Sequence, residues 1–425
     1  MRALNDRQMN EVNLRISDIC RRVAGFGKKP SDTASPADAG QRACTLKVAM
    51  KTLILLAACL FATGASFAQA PVPSAPEPPR TTVNADNSIT FRLSYPSAKE
   101  VSVATDALLQ PLPLSKDADG VWSATTPPLE PEHYGYTFVV DGVHMLDPLN
   151  SQVHPNFVDL YSDLLVPGKT AAPWELTAIP HGEVTRHIFT THVGLHYPND
   201  QTAYVVYTPP GYDAKKKGGY PVLYLLHGYT DTEDGWTLTG KANLMLDHML
   251  AQGKIVPMIV VMPRGYGDFD SVSHGRNPAA NAMGQQNIEL FEKTLTDEVI
   301  PAVEREYNAA KGREHRAVIG LSMGGMESVT AGLEHPDLFA WVGGMSAALP
   351  KDLDARYPTI DATKEKLKLL WIACGTDDRL ITANRAFVAW ARTKGLPVSS
   401  VETPGAHTFV VWRQNLLAVV PLLFR

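Results

Sequence analysis

A serine flanked by glycines at the end of an apolar run can serve as a nucleophile, and the chain offers one at Gly320-Leu321-Ser322-Met323-Gly324-Gly325. The approach, Arg316-Ala317-Val318-Ile319, is short and β-prone, and the exit from Met326 to Glu334 has a helical mix of residues. Strand, sharp turn and helix expose the serine hydroxyl and aim the next backbone N–H at a reacting carbonyl, with glycines where strand and helix crowd together. A G-x-S-x-G pattern arises by chance in roughly one chain in seven of this length, so its surroundings must decide. Three further loops supply them. His227-Gly228-Tyr229-Thr230-Asp231 follows an apolar run, where a turn can present a second N–H to an oxyanion. Gly375-Thr376-Asp377-Asp378 follows Leu369 to Cys374 and puts a carboxylate just beyond a buried strand. Gly405-Ala406-His407-Thr408 precedes a C-terminal helical pattern around Trp412 to Val419. Together these residues suit acyl transfer: Ser322 attacks, His407 moves its proton, an aspartate orients the imidazole, and the backbone amides of Met323 and Tyr229 hold the oxyanion.

The elements that must position these loops alternate. Short β runs near Val184 to Thr191, Thr202 to Thr208, Tyr220 to His227, Ile255 to Pro263, Arg316 to Ile319, Ala340 to Ser346, Lys368 to Gly375 and Ser399 to Thr403 have helical segments between the later ones. That order predicts an α/β fold with a mostly parallel, doubly wound sheet, whose strand ends carry the ligand loops. Serine, acid and histidine follow one another as they do in the α/β-hydrolase triad. Cys374, inside an apolar run, is expected in the core.

Before this region the pattern is different. Between Thr82 and Val166, alternating runs at Ser88 to Leu93, Glu100 to Val103, Val121 to Thr125 and Tyr134 to Val140 are separated by turn signals such as Asp117-Ala118-Asp119-Gly120 and Asp141-Gly142. They predict a small all-β sandwich, with residues 71–81 as a proline-rich linker before it and residues 167–182 as a linker after it. Trp122, Tyr134 and Tyr136 lie at strand spacing, which favours core positions over a sugar-binding surface.

The N-terminal part has its own logic. Met50-Lys51 leads into the apolar Thr52 to Phe61, and Ala65 to Ala70 offers small-x-small cleavage sites after Ala68 or Ala70. This is the pattern of a secretory signal peptide over residues 50–70, too short in its apolar run to span a membrane. Residues 1–49 are then expected to be an upstream over-extension. Leu56-Ala57-Ala58-Cys59 also matches a lipoprotein acylation site, a competing expectation. Taking residues 1–68 away removes ten of 39 Lys+Arg and five of 44 Asp+Glu, a net charge of −10 for the remainder. An acidic chain without basic runs is poorly matched to nucleic acid and well matched to neutral substrates. Cys374 is the one cysteine after the signal, so no internal disulfide framework is expected in a periplasmic or secreted protein. Neither His-Glu-x-x-His nor Gly-x-Gly-x-x-Gly occurs, and no metal or cofactor is expected. Oligomeric state is not encoded in any of these patterns.

The runs Leu223 to Gly228, Pro257 to Pro263, Glu298-Val299-Ile300-Pro301, Gly320 to Gly325 and Gly405 to Phe409 resemble the putative-esterase family of α/β-hydrolases over residues 183–425. That family includes the feruloyl and acetylxylan esterases of carbohydrate esterase family one. The resemblance implies a serine carboxylesterase fold and triad, and selects Asp378 over Asp377 as the acid. Gly120-Val121-Trp122, Tyr134-Gly135-Tyr136, Val140-Asp141-Gly142 and Asp147-Pro148 resemble the early-set immunoglobulin-like carbohydrate-binding module family forty-eight. With this module the expected substrate is a feruloyl or acetyl ester on plant xylan, the sandwich acting as a tether that raises local polymer concentration. Enterochelin-type siderophore esterases share the two-domain order and mycolyltransferases the catalytic fold, so a siderophore ester remains the alternative substrate. A non-catalytic carbohydrate-binding protein on the same scaffold is the alternative class.

Overall fold

A computed structural model describes residues 79–273, 284–360 and 366–425. The signal-like stretch, the residues before it and most of the proline-rich segment lie outside the described residues.

Ten strands come first: β1 (Thr82–Val83), β2 (Ile89–Ser94), β3 (Val101–Thr105), β4 (Leu112–Pro113), β5 (Ser115–Lys116), β6 (Val121–Thr125), β7 (Glu132–Val140), β8 (Val143–Met145), β9 (Val153–His154) and β10 (Tyr161–Val166). They form two antiparallel sheets, β1-β2-β6-β5 and β4-β3-β7-β10-β9 with β8 on β7. Alternation explains why the sheets face each other. Ile89, Phe91 and Leu93 on β2, and Tyr134, Tyr136, Phe138 and Val140 on β7, all point into one core. Trp122, Tyr134 and Tyr136 are core residues, at most 6% exposed. Any sugar platform here must use other side chains. The strand β10 had no expectation in the sequence, because Tyr161-Ser162-Asp163-Leu164-Leu165-Val166 carries its buried polar residues, Ser162 and Asp163, where an alternating pattern would place one apolar side chain.

Eight strands make the second part: β11 (Glu183–Thr190), β12 (Gln201–Thr208), β13 (Val222–Leu226), β14 (Ile259–Pro263), β15 (Arg316–Leu321), β16 (Trp341–Met345), β17 (Leu369–Gly375) and β18 (Val398–Thr403). Their order is β11-β12-β14-β13-β15-β16-β17-β18; the first two pairings are antiparallel and every later one is parallel. The central strands β13 to β16 are buried at every residue, as strands covered on both faces must be, and two apolar clusters lie on the two faces. The expected run from Ile255 enters the sheet only at Ile259, after Pro257, whose missing N–H suits the approach and not the ladder. The helix after β15 begins at Ser322 and runs to Glu334, four residues earlier than the apolar pattern from Met326 indicated.

The two parts are locked together beside the site. Arg413, on the helix Phe409–Val419, is 1% exposed; its Nε donates to Glu132 Oε1 of β7 at 3.0 Å, Nη2 donates to the His133 carbonyl at 2.7 Å, and Nη1 donates to the Thr239 carbonyl at 2.9 Å. The segment between the two parts, residues 167–182, has neither helix nor strand but is seated: Trp174 is buried in the core of the second part, beneath the Arg413 guanidinium.

Candidate active site

Ser322 sits where β15 turns into its helix, with φ of 54° and 7% exposure. A serine in the left-handed region costs of order 1–3 kcal/mol and persists only when its surroundings enforce it. They do so by close packing. A Cβ on Gly320 would lie 2.3 Å from the Gly324 carbonyl oxygen, and one on Gly324 would lie 2.3 Å from the His227 carbonyl oxygen. No other residue type fits the crossing of strand and helix at these two positions. The Gly324 N–H donates to the His227 carbonyl at 3.1 Å and the Ala348 N–H to the Ser322 carbonyl at 3.0 Å, so the turn is tied to β13 on one side and to the loop after β16 on the other.

His407 Nε2 lies 3.0 Å from Ser322 Oγ, and His407 Nδ1 lies 2.8 Å from Asp378 Oδ2. Asp378 is 2% exposed. Burial alone would raise its pKa, but hydrogen bonds from His407, from the Leu380 N–H and from Ser346 outweigh it and hold the carboxyl below its ordinary value. Asp377 is exposed and accepts from Thr376 Oγ1, with no bond to His407. Trp412 supports the same group twice: its ring meets the His407 imidazole edge-on at 4.9 Å, and its Nε1 donates to Ser346 Oγ at 3.1 Å. Cys374 is buried, with its thiol pushed up to about 12 by desolvation, and takes no part.

Tyr229 and Met323, the expected oxyanion donors, flank the serine differently. Met323 is the residue after Ser322, in the first turn of its helix, where amides lack intrahelical partners; its side chain is fully buried against Tyr197, Tyr266 and Val272. Tyr229 lines the cavity, and its hydroxyl donates to the Ser271 carbonyl at 3.1 Å. The loop bearing it is fixed through His227, whose Nδ1–H donates to the Gly228 carbonyl at 2.8 Å while Nε2 accepts from the Gly265 N–H at 2.9 Å. Those two partners set the tautomer, and complete burial lowers its pKa to about 4, so the ring stays neutral.

The cavity over Ser322 and His407 measures about 250 Å³. Its other walls were not evident from the motifs: Arg379, Asp231 on the loop after β13, and Asp106, His154, Asn156 and Tyr161 from the sandwich. Asp231 ends the motif His227 to Asp231, whose pattern assigns it no role. The sandwich residues carried no signal at all, because their place at the cavity follows from how two sheets pack and not from any local spacing. Asp231 is 6% exposed, and burial, followed by the charges of Asp234 and Glu233 against the opposing Thr232 N–H, pushes its carboxyl up to about 7. Glu233 beside it faces Arg264 and Arg186, which overcome the effect of burial and bring it down to about 2. Among the described residues, His196, Asp268 and Asp270 form the one group with ligand atoms close enough for a metal ion; none of them lines the cavity.

The family model described as putative esterase matches residues 196–423. The chain is 32% identical over 352 residues to an endo-1,4-beta-xylanase/feruloyl esterase of Xylanibacter ruminicola, a match covering 81% of this chain and 46% of that protein. The chain thus spans about half the length of that relative. Two solved structures share the fold: a CE1 ferulic acid esterase from Anaeromyces mucronatus (22% identity, TM-score 0.51, 65% of this chain and 97% of that one) and the enterobactin esterase of Shigella flexneri (17% identity, TM-score 0.59, 79% and 92%).

Proposed function

The chain belongs to the putative esterase family, and from that premise we propose that it is an exported serine esterase acting on feruloyl or acetyl esters of a xylan-type polysaccharide. The observation that carries the chemistry is the continuous relay from Asp378 Oδ2 through His407 to Ser322 Oγ, opening on a cavity. Ser322 Oγ attacks the ester carbonyl carbon as its proton passes to His407 Nε2. The amides of Met323 and Tyr229 stabilise the oxyanion. Collapse of this intermediate breaks the bond to the alcohol oxygen, which leaves with the proton from His407. Water, deprotonated by His407, then attacks the acyl-serine, and the acid departs as Ser322 regains its proton.

Two things support the polysaccharide ester as the substrate class. The relative from Xylanibacter ruminicola is named for xylanase and feruloyl esterase activities, and its match takes in most of this chain. The cavity wall sets the carboxyl of Asp159 and the guanidinium of Arg379 among the polar groups of Asn156, Tyr161, Thr230 and Thr239, a lining suited to neutral hydroxylated groups. Export rests on the signal-like residues 50–70, and N-terminal sequencing of protein recovered outside the cytoplasm should begin at Gln69 or Pro71.

A hydrolysis panel of feruloylated xylan fragments, acetylated xylan and a catechol trilactone tests the substrate. Release of ferulate or acetate, abolished in Ser322→Ala, is the expected result. Cleavage of the trilactone alone would transfer the assignment to siderophore esters.

A further inference from the structure

Thr230 follows the oxyanion-donor residue Tyr229 and has φ of 74°, a conformation that β-branched side chains strongly disfavour. Something outside the loop must hold it. The Thr230 carbonyl accepts from the Phe157 N–H at 2.8 Å, and Phe157 belongs to the connection between β9 and β10, in the sandwich. That connection is itself preset, since Asn156 Oδ1 accepts from the N–H groups of Val158 and Asp159 at 2.9 and 2.8 Å. The Phe157 ring is anchored on the hydrolase side, edge-on to Phe269 at 5.4 Å and to Tyr266 at 6.0 Å, with the Arg264 guanidinium 5.5 Å away over its face. Tyr266 closes the circuit, for its hydroxyl donates to the Asp231 carbonyl at 3.0 Å. Thr230 and Asp231, the two residues after the oxyanion donor, therefore have their carbonyls held by one bond from the sandwich and one from the residue on which the sandwich's phenylalanine packs.

We propose that the β-sandwich is a working part of the catalytic apparatus: Phe157 is a positioning residue that fixes the oxyanion loop in the shape that sets the Tyr229 amide beside Ser322. This rests on the esterase reading above, and it departs from a sandwich that acts only as a polymer tether. A tether changes the local concentration of polymer and leaves a small soluble ester unaffected. A clamp on the oxyanion loop changes the rate on every ester, because the oxyanion exists only after attack: its loss appears in kcat and not in KM. Loss of one oxyanion donor costs about 10²–10³ in rate, and misplacement by about 1 Å about 10².

The test uses the full chain and a small aryl acetate, with no polysaccharide present. Phe157→Pro removes the N–H that reaches Thr230, Phe157→Ala removes the ring anchor, and Phe157→Leu restores bulk without aromatic contacts. Expected are losses in kcat of about 10- to 100-fold for the first two with KM changed less than about threefold, partial recovery in Phe157→Leu, and weaker binding of a trifluoromethyl ketone transition-state analogue in proportion to kcat/KM. Thermal melts identify any variant that has lost its fold, and Phe157→Ala carries the test if Phe157→Pro is one of them. Folded variants with kcat within twofold of the parent on the aryl acetate, or with losses confined to polymer, would overturn the proposal. A parent protein that hydrolyses no ester would overturn the esterase reading instead, and the two failures are told apart before any variant is made.

Discussion

Gly324→Ala should separate catalytic geometry from stability more sharply than any change to the triad itself. A Cβ at this position would lie 2.3 Å from the His227 carbonyl oxygen and 2.7 Å from Leu226 Cβ. Backbone on β13 cannot swing aside as a side-chain tip can, so the first turn of the helix after β15 must retreat by nearly an ångström. Ser322 lies on that turn, and its 3.0 Å bond to His407 Nε2 would be stretched or broken by such a shift. Displacement of about 1 Å costs about 10² in rate. Overpacking costs about 1–3 kcal/mol, which for a domain of this size lowers Tm by about 2–4 °C per kcal/mol and leaves the protein folded at 25 °C. The expectation is a kcat on an aryl acetate reduced about 100-fold in a protein that still melts cooperatively, a few degrees to about ten below the parent. A Gly324→Ala protein with kcat within twofold would show that the close approach at this turn does not set the serine.

Other changes probe the groups around the relay. Asp378→Asn should lower kcat by about 10⁴, by leaving His407 in the wrong tautomer, whereas Asp377→Asn should remain within twofold; the reverse pattern would move the acid to the exposed neighbour. Asp231, 6% exposed with its carboxyl pushed up from 3.8 to about 7, keeps a proton in the folded chain that the unfolded chain has released. Its contribution is undiminished below pH about 4 and is lost as pH rises towards 7, about 4 kcal/mol at most. Asp231→Asn should therefore gain on the parent across that window in urea melts, and parallel pH profiles would refute the assignment. Glu327, on the helix after Ser322, is buried with neither carboxylate oxygen hydrogen-bonded, and desolvation raises its pKa well above 4.5. By the same sign, Glu327→Gln should be increasingly favourable relative to the parent as pH rises above the ordinary carboxylate range, and a difference independent of pH would contradict a protonated Glu327.

The legible parts of this molecule were local. Short buried strands such as Arg316 to Ile319 and Leu369 to Cys374 declare themselves by composition, and each of the loops after β13, β15, β17 and β18 carries its candidate site residue within a few positions of the strand end. Ser322, Asp378 and His407 could be singled out for that reason, and the structure brings all three together. Choosing Asp378 over Asp377 needed family resemblance, because two adjacent carboxylates on one loop are equivalent until the strand's exit angle is known. What the sequence did not disclose is long-range. Arg413 and Glu132 are 281 positions apart, and Phe157 meets Thr230 across the junction of two sheets. No periodicity reports such a pairing. The buried Glu327 is likewise invisible in a list of residues, since its carboxylate is unusual only in being buried with neither oxygen hydrogen-bonded.

Covalent trapping tests the central assignment most directly. A fluorophosphonate ester mimics the tetrahedral intermediate and remains bonded to the oxygen that attacked it. Treatment of the purified protein, followed by proteolysis and peptide mass spectrometry, should place one phosphonyl group on Ser322, with labelling abolished in Ser322→Ala and slowed about as much as esterase turnover in His407→Ala. Labelling at a different residue, or a rate of labelling unchanged in His407→Ala, would contradict a nucleophile at Ser322 activated by His407.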